Sequence, residues 1–459
     1  METAWFIALI SAICFEGLGR KYVSGVPDAA FYFLKDVILL FGYLRFRPSP
    51  TTWRAASYLY RGFQVAFLAA FIWTLIEVFN PDQQSKPLAL VGLRAYWLWW
   101  LAPPIIATAL QKTKVRERAI YALLAVSVVV ALFAAVQFAA PADASINLYE
   151  GHGEGYEMGP VLVGETGRAR VSSTFTFASG FVAFTVVVPT LLLAFGLDAK
   201  NPRIRACALA GTMITAAVLP MSGSRSSIVL GLAVLGLSAW STGLFLTRLG
   251  RRVLIGSALA AILSVVAFPD AMLGVQSRFE NAGETTGRFQ DAATILPPVA
   301  LATLRYPMMG IGTGMEQNAH YAFHAWAPEW DSDSEINRYL VELGPVGFIF
   351  FWVTKLGLVV ALMRAYKFLK RAGRRGAAAA ALSYAAMTMP GNLTFDHNWQ
   401  ALYFLGCGFV LSDVLAVTRQ HALDAQRRTD EARVGSEPIR VSAFAALRAA
   451  GLEKVRPSE

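Results

Sequence analysis

The chain has 459 residues, 55% of them hydrophobic and only 16% charged, with a formal net charge of +10. Soluble globular chains carry about 25% charged residues, and the mean hydropathy here is +0.46. These values exclude a soluble enzyme, a secreted disulfide scaffold and a disordered chain, and leave a polytopic all-α membrane protein. The apolar runs are continuous rather than alternating, which excludes a β-barrel.

In chain order, the apolar blocks predict twelve membrane-spanning helices. They run about Trp5–Leu18, Ala29–Leu44, Tyr58–Phe79, Leu88–Leu110, Ala119–Ala139, Ser173–Leu197, Ile204–Pro220, Ser226–Thr247, Val253–Phe268, Tyr339–Met363, Ala377–Met389 and Trp399–Val417. The first and the eleventh are short, and the eleventh ends at Pro390-Gly391. Met1-Glu2-Thr3 precedes the first block with no basic stretch, so that block reads as a retained span and not as a cleaved signal. The blocks group into N-terminal helices (1–140), an outer glycine-rich loop (141–172), central helices (173–268), a large outer loop (269–338), C-terminal helices (339–417) and a polar tail (418–459). The tail is expected to be partly ordered at best, with an amphipathic stretch near Ile439–Leu452 suited to a membrane surface. No repeat of solenoid or transporter type is visible. Cys14, Cys207 and Cys407 lie inside apolar blocks without CxxC spacing, and read as small core residues.

Lys and Arg set the orientation. With both termini cytoplasmic, the inner connections hold the basic runs Arg45–Arg54, Lys112–Arg118, Lys200–Arg205, Arg248–Arg252 and Arg364–Arg375. The outer connections hold roughly half as many, although they include the two longest loops. The positive charge is therefore a topological label and needs no nucleic-acid partner.

The outward arginines are the exceptions. Arg168 and Arg170 precede the sixth span in RARVSSTF, Arg225 stands in MSGSRSS, and Arg288 in TTGRFQDA. Three such stretches converging on one outer pocket would suit a phosphate or diphosphate, because a guanidinium stays charged and donates two parallel hydrogen bonds. The competing reading is that each snorkels to lipid phosphate or pairs with a nearby carboxylate. His320 and His324 lie four residues apart in NAHYAFHAW, a spacing that would put both on one helix face. No HExxH glutamate and no third ligand accompanies them, so they read as candidate bases near neutral pH or as ordinary loop residues, and not as a metal site. The run EWDSDSE, with Asp333, lacks the spacing of a calcium loop; it is either a solvated acidic loop or the source of a general base. GHGEGYEMG and GIGTG read as turns and close backbone approaches, since no Walker lysine follows. Inside the spans, Glu16, Lys35, Asp36, Arg61, Glu77, Arg94 and Lys355 are costly in lipid; most sit near span ends, within reach of water.

The order of these pieces resembles the bacterial O-antigen ligase and polymerase superfamily. The resemblance rests on RVSSTF running into a span, SGSRSSIVLGLAVL, GRFQDAATILPPVALATLRYPMMGIGTG and NRYLVELGPVGFIFF, and covers roughly residues 160–410. The matching positions are Arg170, Arg225, Arg288, Pro307, Gly310, Gly312, Glu342, Gly344 and Gly347. The family usually has a His shortly before its Glu-x-Gly-x-x-Gly motif; here Asp333 stands near that place, with His320 and His324 upstream. The resemblance implies a GT-C-like fold and a metal-independent, cofactor-free transfer at the outer face of the bacterial inner membrane. An undecaprenyl-diphosphate-linked glycan would be the donor and a glycan or lipid the acceptor. Arg170, Arg225 and Arg288 would hold the leaving diphosphate, and Asp333, His320 or His324 would take the acceptor proton. Polysaccharide polymerase is the expected branch. The alternatives are a small-anion or solute transporter, which should carry paired ionisable groups and broken helices within the bilayer, and a structural membrane subunit.

Overall fold

The computed structural model describes residues 1–46, 50, 62–150, 157–158, 166–243, 307–315, 335–394 and 396–449, with isolated positions between 255 and 276. Residues 149–150, 157–158, 225–227, 337 and 430–449 are described by their backbone alone. Apart from one two-residue antiparallel ladder, Tyr149–Glu150 on Glu157–Met158, the described chain is helical. The helices are α1 (Glu2–Cys14), α2 (Glu16–Tyr22), α3 (Asp28–Arg45), α4 (Phe63–Val78), α5 (Lys86–Trp97), α6 (Ala102–Ala109), α7 (Thr113–Ala139), α8 (Ala178–Asp198), α9 (Pro202–Ala217), α10 (Arg225–Ser241), α11 (Glu335–Arg371), α12 (Arg375–Thr388) and α13 (His397–Ala449).

Among the described residues, five helical stretches are long and apolar enough to cross a membrane, or six if the bent pair α1–α2 is one span. The expected count of twelve is thus met only in part. α4 is too short, whereas the fourth expected span is one of the five, Lys86–Ala109, although a 3-10 turn at Trp99–Leu101, just before Pro103-Pro104, divides it into α5 and α6. Half of the expected ninth span lies outside the described residues, as does most of the loop 269–338. The last helix runs on without interruption to Ala449, 53 residues in all, which at 1.5 Å per residue is about 80 Å.

α8 is apolar all round and buried along nearly its whole length, so it forms the centre of the bundle. α9, α10, α12 and α13 pack around it. Ion pairs fasten one end. Lys112 reaches Glu2 at 2.8 Å, and the fully buried Asp413 is shared by Arg116 and Arg374. The Asp198 carboxylate accepts the first N–H groups of α12, from Gly376 and Ala377, at 2.9 Å each. Four of the basic connections expected on the inner side start from this end. The opposite end carries the polar site.

Candidate functional site

The site begins with a break in α11. Gly344, the tenth residue of that 37-residue helix, sits at φ 66°, ψ 178°, and Pro345 follows it. Proline has no N–H, and the reversal at Gly344 diverts its neighbours, so the carbonyls of Val341, Glu342 and Leu343 lose their helical donors. Each receives another. The N–H of Ile311 reaches Val341 at 2.9 Å, the N–H of Gly312 reaches Glu342 at 3.1 Å, and Trp73 Nε1 donates to Leu343 at 2.9 Å. Non-helical backbone inside a membrane protein persists only where it is re-satisfied in this way.

The segment 307–315 is shaped for that task. Gly310 and Gly312 adopt φ +68° and +98°, a region open to glycine at little cost. A Cβ on Gly310 would fall 2.6 Å from the carbonyl carbon of Glu342. The far side of the segment is pinned to α5 and the turn before it. Asn80 Nδ2 donates to the Met309 and Gly310 carbonyls at 3.2 Å. Gln83 Nε2 donates to Thr313 O at 2.8 Å, and Thr313 Oγ1 to Ala89 O at 3.0 Å. Pro307, Gly310, Gly312, Glu342 and Gly344 are therefore one assembly. Gly347 lies one turn further along α11, with the Trp73 ring against it.

Buried ion pairs surround this assembly. Glu342 accepts from Tyr96 Oη at 2.8 Å and from Arg338 Nε at 3.3 Å. Glu335 pairs with Lys355 at 2.5 Å and accepts from the N–H and hydroxyl of Thr394. Lys35 pairs with Glu16 and donates to Asn398 Oδ1 at 3.3 Å. Asp36 pairs with Arg94 and accepts from Trp99 Nε1 at 3.1 Å. The Arg94 guanidinium also lies 4.5 Å from the Tyr32 ring, which meets the His397 ring edge-on at 5.3 Å. His397 is half-buried at the start of α13, within electrostatic reach of Arg94, Lys35 and Arg338. Asp396 caps that helix, accepting the N–H groups of Asn398 and Trp399 at 2.9 and 3.1 Å. Burial holds its carboxyl above the usual range, against the pull of those bonds.

Burial corrects one expectation. Glu16, Lys35, Asp36, Glu77 and Lys355 are buried among helices and do not reach water. A second helix break adjoins them. α1 and α2 meet at 60° about Phe15, and the Cys14 carbonyl accepts from Thr174 Oγ1 at 2.5 Å. Thr174 belongs to the RVSSTF motif, so both motif-bearing segments, 172–177 and 307–315, repair helix breaks.

The expected diphosphate arginines are placed in part. Arg170 Nε donates to Ser222 O at 3.1 Å. Ser222 leads through Gly223, in the left-handed region, and Ser224 to Arg225, the first residue of α10. Arg168 is taken up by Asp270 at 2.8 Å. Arg288, His320, His324 and Asp333 lie outside the described residues. Among the described residues, no three His, Cys, Asp or Glu side chains converge as metal ligands. The sequence reading missed Tyr96, Arg338, His397 and Asn398. The charges it flagged inside the spans were the signal, because each needed a partner. Compared with protein-family models and with curated proteins, the chain matches none.

Proposed function

We propose that the chain is a glycosyltransferase of the O-antigen ligase and polymerase type, with about twelve spans, cytoplasmic termini and its working face on the periplasmic side of a bacterial inner membrane. In the reaction, an acceptor hydroxyl attacks the anomeric carbon of an undecaprenyl-diphosphate-linked glycan. The bond from that carbon to the diphosphate breaks, and undecaprenyl diphosphate leaves with the bonding pair. A base takes the hydroxyl proton. Asp333, His320 and His324 are the candidates, and no metal is required. Arg170, Arg225 and Arg288 neutralise the charge that grows on the leaving group.

The observation that carries this reading is the bond from Arg170 to Ser222. It brings one outward arginine to the turn that delivers another, on stretches separated in sequence. The test is transfer from a lipid-linked glycan donor by purified protein. Each lost charge-assisted hydrogen bond is worth about 1.5–3 kcal/mol, so Arg170→Ala and Arg288→Ala should each slow transfer by roughly one to three orders of magnitude. Near-normal rates in both would overturn the assignment.

A transporter is the second reading, and a specific observation favours it. The pairs Glu16–Lys35, Asp36–Arg94 and Glu342–Arg338 lie within the helical bundle, beside broken helices. Transporters place ion and substrate sites in such surroundings. Solute flux into proteoliposomes without any glycan transfer would select this reading.

A further inference from the structure

Most buried carboxylates of the described bundle have a cation or a helix N-terminus to answer them; Glu77 has neither. Its side chain is fully buried in the last turn of α4. Oε2 accepts from Asn80 Nδ2 at 2.6 Å, while Oε1 is buried with no hydrogen-bond partner. Among the described residues, the charged groups on the surrounding elements are engaged elsewhere or lie out of contact. On α5, Lys86 donates to the Val78 carbonyl and Arg94 pairs with Asp36. On α11, Arg338 pairs with Glu342, and Lys355 with Glu335. Asp82, in the connecting turn, is itself acidic, and the segment 307–315 carries no charge. The location compounds the problem, because the carbonyl end of a helix repels an anion and attracts a cation. A lone buried carboxylate is strongly disfavoured unless it is neutralised.

We propose that Glu77 is a binding site for one positive charge, a proton or a monovalent metal ion, at the C-terminal end of α4. Asn80 couples the site to the helix break. The same Nδ2 that donates to Glu77 also donates to the Met309 and Gly310 carbonyls. Gly310 in turn lies against the broken turn of α11. Charge compensation at Glu77 thus holds the 307–315 segment in place, and a bare carboxylate draws Asn80 away from it. The inference does not depend on the glycosyltransferase reading.

The test is thermal unfolding of the full-length protein in detergent, in choline chloride and in sodium chloride at equal ionic strength, from about pH 6 to about pH 9. Binding to the folded state alone raises the unfolding temperature. In choline, the wild type should lose several degrees more than Glu77→Gln as the pH rises, because the amide carries no charge to compensate. If the ligand is a metal ion, sodium restores the wild type at high pH and leaves Glu77→Gln unmoved. If the ligand is a proton, sodium restores neither. Equal responses of the two proteins to pH and to sodium would overturn the proposal. Should Glu77→Gln fail to fold, the apolar Glu77→Met takes its place; failure of both neutral variants would equally overturn it, since a compensated site tolerates a neutral side chain.

Discussion

Gly312 donates its backbone N–H to the carbonyl of Glu342 at 3.1 Å, and that bond makes one structure of two motifs that are separate in sequence. The loop segment supplies two of the three donors that α11 lost at Gly344-Pro345. The loop and the helix break therefore stabilise each other, and neither motif has its shape alone. Glu342 is held at this junction by its backbone and, through Tyr96 and Arg338, by its side chain.

The fit at Gly310 is the most exacting part of that junction. Alanine there adopts φ +68° at a cost of about 1–2 kcal/mol, and its Cβ meets the Glu342 backbone, which cannot move without opening the break. Gly310→Ala should lower the unfolding temperature clearly. Gly236→Ala is the control: that glycine lies inside α10 with open space around it, and alanine should be neutral or stabilising there. Equal effects from the two substitutions would show that the junction is loose.

Asp413 is the counterpart at the other end. It is fully buried and shared by Arg116 and Arg374, whose side chains are 16% and 35% exposed. Removing one member of a buried ion pair costs about 3–5 kcal/mol, but water reaches both arginines here and lowers that figure. Asp413→Asn should therefore destabilise by about 1–3 kcal/mol, and Arg374→Ala by less than about 1 kcal/mol. Thermal unfolding in detergent checks the ranking, and a reversed order would show that Arg116 alone does not hold the carboxylate.

Hydropathy made the bundle legible, since apolar helices are selected by the one property that lipid demands of them. α7, α8, α11 and α13 stand where unbroken apolar runs placed them. The subdivision into α5, a 3-10 turn and α6 was less visible, because prolines within an apolar run leave its hydropathy unchanged. The site was legible only in its pieces. Lys35, Asp36 and Arg94 drew attention as expensive charges, but which carboxylate answers which cation depends on helix packing. The same holds for Gly310 and Glu342: each motif can be read in the chain, whereas the bonds between them exist only in the fold.

Asp396 gives the bundle a pH dependence with a definite sign. Burial raises its pKa above the usual value, while the N–H groups at the start of α13 and the Ser179 hydroxyl pull it back. A carboxyl that holds its proton more tightly in the fold contributes stability below its ordinary pKa of about 3.9, and loses it as the pH rises through the raised value. Asp396→Asn keeps the capping oxygen without the charge. It should flatten the loss above about pH 4 and match or exceed the wild type at neutral pH. Asp396→Ala should lie about 1 kcal/mol below Asp396→Asn at any pH, because it also removes the cap. Unfolding temperatures across this range decide it; an unchanged slope in the Asn variant would sink the argument.

Arg170 and Arg225 offer the most direct test of the proposed chemistry. If both engage the same diphosphate, the loss of one changes what the other can do. Residues acting on one group are non-additive, with coupling of about 0.5–3 kcal/mol, whereas independent sites add to within about 0.3–0.5 kcal/mol. The bond from Arg170 to Ser222 O ties Arg170 to the turn that leads into Arg225, so coupling is the expected result. Arg170→Ala and Arg225→Ala should each slow transfer, and the double variant should be faster than the product of the two effects predicts. Lysine at either position should recover part of the loss, because an ammonium keeps the charge without the planar fork. The Arg170→Ala change also removes a structural bond to the Ser222 turn, which would slow turnover through folding alone. Unfolding temperature therefore has to be measured on the same samples. Coupled rates with little change in stability place both arginines on the substrate; additive rates that track stability make Arg170 a brace for the turn and leave Arg225 to act alone.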